Sequence, residues 1–270
     1  MTDRTALVVL VLMLTLAACG GDREAHSDAR GTDDPSAGGP PPLDPDRDPL
    51  PAVIEALHIP LERIRRISKF RSGVGHDFSD GVESCRSMKH YLHPLGGEPG
   101  EAHDPSWSTL EIRSPLTGTI REMRDEWGRG RAGFGMTIVS EAHEQIAVTL
   151  FHVAPDDGIE IGRRVEAGER LGRHSTDETY HDIAVAVRGV ADEAGEWGGL
   201  RYVSWFDVMS DEVFAAFAEY DIDERDRFLI PRETRDEHPL SCDERRRFTA
   251  RDPLAGEDDS GIWVTLGSGS

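Results

Sequence analysis

Apolar residues arrive along this chain in short bursts, and glycine separates most of them. In "LEIRSPLTGTIREMRDEW", from Leu110, two extended runs flank the turn-forming "SPLTG". "GFGMTIVS" and "QIAVTLFHV" stand on either side of "EAHE" as a hairpin would. In "DGIEIGRRVEAGERLGRH", Gly158, Gly162, Gly168 and Gly172 punctuate short apolar pairs. "HDIAVAV" alternates for seven residues. Side chains two apart share a face of a strand, so His181, Ile183, Val185 and Val187 form one set. Asp182, Ala184 and Ala186 form the other, on the side where a groove would lie. Many short strands with glycine turns predict a mainly β fold, a sandwich or small barrel.

The flanks have a different rhythm. "AVIEALHIPLERIRRI" predicts one or two short helical turns broken at Pro60. After Arg201, "SDEVFAAFAEY" places Val213, Phe214, Phe217 and Tyr220 on one helical face, with Ser210 as N-cap. "RFLIPRETRDEHPLSC" has no period, and "GIWVTL" predicts a closing strand. The first burst, Leu7–Leu16, is of another kind: a ten-residue apolar run too short to span a bilayer, ending in Leu16-Ala17-Ala18-Cys19. That ending resembles a bacterial lipobox, which implies a signal peptide over residues 1–19, cleavage before Cys19 and acylation of its thiol. A plain secretory signal is the alternative. Residues 20–51 hold Gly, Pro, Asp and Arg with almost nothing apolar, the composition of a disordered tether. The folded unit is expected at 52–200, with an insertion at about 84–109 and a C-terminal extension over 201–266.

Charge and cysteines narrow the setting. The formal net charge is −21, with 51 acidic residues and only two lysines, Lys69 and Lys89. Nucleic acid is excluded as a partner, since its phosphates need clustered Lys and Arg. Export leaves Cys85 and Cys242 in an oxidising compartment, where one disulfide is expected; two buried free thiols are the alternative.

The candidate chemistry begins in "SGVGHDFSD", where Asp80 follows His76 at the fourth position. His58/Glu62, His152/Asp156 and His174/Glu178 share that spacing, so the pair alone is no signal in so acidic a chain. Its setting is more specific. After it come "IRSPLTGTIREM", "GFGMTIVS", "TLFHVAPDDGIEIGRRVEAGERLG" and "YHDIAVAV". In this order, over about 120 of 270 residues, the segment 70–187 resembles the lysostaphin-like zinc endopeptidases that cut peptidoglycan peptides. The resemblance implies a lysostaphin-like antiparallel β core with short peripheral helices, and one Zn²⁺. It implies His76 and Asp80 as metal ligands, and His152 as the non-ligand histidine that assists the water or the developing oxyanion.

The last motif departs from the family, which has His-x-His where this chain has Tyr180-His181-Asp182. Strand parity favours Asp182 as third ligand; a one-residue shift would bring His181 instead. A His/Asp/Asp set also suits other divalent metals. The competing readings are a turn in which His76 and Asp80 bond only backbone, and a core position for His152. His90, His93 and His103 are expected on the surface of the insertion. "SMKH" around Lys89 superficially resembles a biotinylation site, but carrier domains place that lysine between their two hairpin halves, and here it precedes both. Two functions follow from the resemblance: an envelope-anchored zinc metallopeptidase acting on peptidoglycan, held to the membrane by its N-terminal lipid, or a catalytically degenerate relative that binds cell wall or regulates a hydrolase.

Overall fold

The computed structural model describes residues 43–95, 107–126, 133–176, 179–191 and 197–266. The signal segment, Cys19, most of the tether and His103 lie outside them. The described chain is mainly antiparallel β with a few short helices. No helix among the described residues is long and apolar enough to cross a membrane.

Among the described residues, eleven strands form one highly branched sheet. In chain order they are β1 (Ile64–Ser68), β2 (His90–Pro94), β3 (Glu111–Arg113), β4 (Gly118–Asp125), β5 (Phe134–Ser140) and β6 (Ile146–Pro155). There follow β7 (Arg164–Val165), β8 (Arg170–His174), β9 (His181–Ala191), β10 (Trp197–Val203) and β11 (Trp263–Thr265). The main path runs β11-β1-β2-β9-β6-β5-β4-β7; β10 adds to β9, β8 to β6 and β3 to β8. The predicted hairpin is β5–β6, and "SPLTG" joins β3 to β4. Gly118 opens β4 because a Cβ there would lie 2.2 Å from the Val139 carbonyl oxygen.

The two faces of β9 differ as its alternation predicts. Ile183, Val185 and Val187 are fully buried and pair with Leu150, Val148 and Ile146 of β6, the spine of the main core. Burial of such side chains is worth about 1.5–3 kcal/mol each. Ala184 and Ala186, with Ala147, Thr149 and Thr137 alongside, give the other face a floor of small side chains.

The C-terminal region closes over the core. Ser210 caps α1 (Asp211–Phe214) by accepting from the Val213 backbone N–H, and a 3-10 segment carries the turn on to Tyr220. Phe217 is fully buried, and Phe206 stacks on Phe228 at 3.7 Å. A second short helix, α2 (Arg232–Glu237), buries Arg235 against Asp252 at 2.8 Å. "GIWVTL" supplies β11, which pairs with β1.

Three expectations need correcting. His90 and His93 are buried in β2, between β1 and β9, rather than exposed on an insertion. His90 is satisfied there: its ring nitrogens lie 2.8 Å from the Ser68 carbonyl and 2.9 Å from Ser204 Oγ. Leu43 and Leu50, assigned to the tether, pack against the core. "LERIRRI" makes a 3-10 turn at Leu61–Arg63 and then strand β1; spacing of Leu61, Ile64 and Ile67 by three conceals the change. The expected disulfide is present, Cys85 to Cys242, with Cα atoms 5.7 Å apart.

Candidate functional site

A cavity of about 620 Å³ opens beside the start of β9. It is lined by His76, Lys89, His152 and Asp182, with Phe78, Phe151 and Tyr91 among its walls. Strand pairing sets two of these. Tyr91 of β2 stands opposite Asp182 of β9, which brings Lys89, just before β2, against the Asp182 carboxylate. The Lys89 ammonium pairs with Asp182 Oδ2, although the two residues are 93 positions apart. Lys89 is 4% exposed and Asp182 is fully buried. Three rings surround the ammonium, with centroids 4.3 Å (Phe151), 4.8 Å (Tyr91) and 4.9 Å (Phe78) from Nζ. A cation so placed gains from each ring face.

The other Asp182 oxygen faces His152, whose Nε2 is 3.1 Å away. His152 Nδ1 lies 2.9 Å from Glu126 Oε2, and the His152 backbone N–H donates to that same oxygen at 2.8 Å. His152 itself sits in the left-handed region, φ 61°. Burial alone would lower the pKa of the imidazole, but Asp182 and Glu126 raise it to about 9. Burial would raise that of Asp182, and Lys89 with His152 instead holds it well below the usual carboxylate range. For Lys89, burial is outweighed chiefly by Asp182, and its pKa rises. The cavity floor is thus a neutral quartet of two cations and two carboxylates.

His76 stands at the mouth, its Nδ1 2.9 Å from the Asp77 carbonyl oxygen. Burial and the nearby Lys89 lower its pKa. The preceding Gly75 (φ 75°) has no room for a side chain, since a Cβ would lie 2.1 Å from the Tyr91 hydroxyl oxygen. Asp80 does not line this cavity. Its Oδ1 accepts from the Val82 and Glu83 backbone N–H groups, both at 3.0 Å, and its Oδ2 from Tyr202 N–H at 3.1 Å. It is a turn residue bonded to backbone. His181 lies on the core side of β9, its ring 5.1 Å from that of His58 and 5.5 Å from that of His174. Burial, then His58 and His174, push its pKa well below the ordinary value.

These residues do not fit the zinc that the family resemblance implies. Among the described residues, no group of three or more His, Cys, Asp or Glu side chains is placed to hold a metal ion. Both oxygens of Asp80 serve the backbone, and both oxygens of Asp182 face cationic side chains. Lys89 and Glu126 were not singled out as site residues from the sequence. The one available signal for Lys89 is its rarity, as one of two lysines in a chain with 28 arginines.

No family model matches the chain, and no curated protein does. Among solved structures it is similar in part to a putative glycyl-glycine endopeptidase LytM from Ruminococcus gnavus, at 15% identity over 44% of each chain, TM-score 0.30. It is similar to lysostaphin at 13% identity over 49% of this chain and 47% of that one, TM-score 0.30. A third likeness is to the SpoIIQ–SpoIIIAH pore-forming complex, at 11% identity over 61% of this chain and 96% of that one, TM-score 0.36. The chain spans less than half the length of the LytM and lysostaphin chains it matches.

Proposed function

We propose that this chain is an exported, lipid-anchored envelope protein whose cavity binds peptidoglycan peptides and does not cleave them. The observation that carries the non-hydrolytic reading is the Lys89 ammonium buried against Asp182, the residue at the third-ligand position. An ammonium is a fixed single charge with no open coordination position, so it cannot acidify a water as a catalytic zinc does. His152, with a pKa of about 9, keeps its proton at neutral pH and has no free base to offer a water. What remains is a walled, aromatic, charge-balanced cavity suited to holding a polar ligand. Export and anchoring rest on Leu7–Leu16 and the lipobox-like ending at Cys19; the peptidoglycan assignment rests on the order of motifs from His76 to Asp182.

Three measurements test this, two on the purified chain and one in cells. After incubation with zinc and gel filtration, elemental analysis should find well below one zinc per chain. Purified sacculi should carry the protein down on sedimentation, and no new amino termini should appear. In cells, Cys19→Ala should move the protein out of the membrane fraction. One equivalent of zinc together with cleaved peptide bonds would overturn the non-hydrolytic reading.

A further inference from the structure

The small-residue face of the sheet continues beyond the cavity as a groove of about 280 Å³, joined to it through Phe78, Phe151 and Arg124. Its floor is made by Thr137 of β5, Ala147 and Thr149 of β6 and Ala186 of β9. Its walls carry three exposed arginines, Arg121 and Arg124 on β4 and Arg188 on β9. Many other arginines of this acidic chain are matched with carboxylates, as in Arg71–Glu83, Arg86–Asp236, Arg170–Asp156 and Arg235–Asp252. Among the described residues, no such partner is found for the guanidinium groups of Arg121, Arg124 or Arg188. Among the described residues, Glu122 is the one carboxylate lining the groove, which leaves an excess of positive charge in that lining, in a chain of net charge −21.

We propose that this groove binds an extended peptide through its carboxylates. This rests on the cavity binding peptides rather than cleaving them, and it names the ligand class as acidic peptides with small side chains. Guanidinium groups are suited to carboxylates because their planar fork matches both oxygens. The small floor lets a peptide backbone lie close to the sheet, and Leu200 and Tyr202 on β10 give one side of the groove an apolar wall. β4 and β9 are three strand spacings apart, roughly 14 Å, so with arginine side chains reaching inward the bound carboxylates would lie about two to four residues apart. The end of the peptide would then pass Phe78 and Phe151 into the Lys89 cavity.

The test is fluorescence anisotropy on the full chain with labelled Ala-Glu-Ala-Ala-Glu-Ala and with the same peptide carrying Gln for Glu. The acidic peptide should bind at least about tenfold more tightly than its Gln counterpart, and raising salt should weaken it several-fold. The triple variant Arg121→Gln, Arg124→Gln, Arg188→Gln should lose about tenfold or more in affinity for the acidic peptide, while its melting temperature stays put because all three side chains are exposed. Equal binding of the two peptides, or an unchanged triple variant, would overturn the proposal. So would binding that emerges only on deletion of residues 20–42, which would make the chain's own acidic segment the occupant. Sacculus sedimentation separates this from the function proposed above. If wild type and the triple variant sediment equally, the groove proposal fails and the cell-wall reading stands. If wild type ignores sacculi yet binds the acidic peptide, the groove proposal is supported and the cell-wall reading fails.

Discussion

Lys89 holds its charge in a position where an unpaired ammonium could not stay charged. Taking it out of water costs several kcal/mol, and Asp182 with three aromatic faces offsets that cost. The same carboxylate also serves His152, which leans on Glu126 in turn, so each charge in the quartet has an opposite neighbour. Removing one member should therefore cost more than that member alone contributes. Lys89→Met, which keeps the volume, should destabilise the fold by about 3 kcal/mol, because Asp182 keeps only His152 as a counter-charge. The double variant Lys89→Met, Asp182→Leu should recover part of that loss, since buried ion pairs are often replaced by apolar groups at little cost. Urea midpoints for the two variants and wild type decide it; a loss below about 1 kcal/mol for Lys89→Met would show that the pair is not buried as described.

Cys85 follows the turn that carries His76 and Asp80, and Cys242 belongs to the C-terminal extension. Their bond closes a loop of 157 residues, for which the chain-entropy model gives roughly 4–5 kcal/mol as an upper figure. Cys242→Ser should lower the melting temperature by several degrees, and reductant should do the same to wild type but leave the variant unmoved. The ion pair Arg246–Asp77, 3.1 Å, spans the same junction and should not hold it alone, being partly exposed. This bridge was legible in the sequence because the apolar run ending at Cys19 reads as an export signal, and export would leave these two cysteines in an oxidising compartment. Strand β9 was legible too, because one face meets the core and the other the groove, so its residues alternate. Strand β2 was hidden for the opposite reason: all five residues are buried, His90 and His93 among them, and no alternation survives. The candidate site was half legible. Parity put Asp182 on the cavity side, and His76 and His152 line that cavity. The spacing of His76 to Asp80 is equally the spacing of a backbone-bonded turn, and Asp80 is spent there. Lys89 has no local pattern at all, since its partner is set only when β2 pairs with β9.

Across the whole molecule, the buried histidines give stability a dependence on pH. His58, His90, His174 and His181 are all at most 1% exposed. Burial, aided by His90, lowers the pKa of His58 to about 3. Burial takes His90 to about 4 against a hydrogen bond with the Ser68 carbonyl, takes His174 to about 4 with help from His152, and takes His181 well below its usual value. In the unfolded chain all four return to about 6.5, so between pH 6.5 and 4 the unfolded state binds more protons than the folded one. Stability must then fall as pH falls, by up to about 1.4 kcal/mol per pH unit for each histidine. His152 has the opposite sign: its pKa is raised to about 9, so its contribution is complete below pH 6.5 and is lost as pH rises through 9. Stability should therefore peak near neutrality and drop steeply on the acid side. By pH 5 each buried histidine removes on the order of 2 kcal/mol, and four together rival the whole 5–15 kcal/mol of a typical domain. Guanidinium unfolding at pH 7.5, 6.5, 5.5 and 5.0 should show the midpoint collapsing over the last two steps. Calorimetry in buffers of different ionisation heat should find roughly three to four protons taken up on unfolding at pH 5. A midpoint that stays level from pH 6.5 to 5.0 would mean that these histidines keep ordinary pKa values in the folded core, and the burial that lowers their pKa would not be what sets the protein's acid limit.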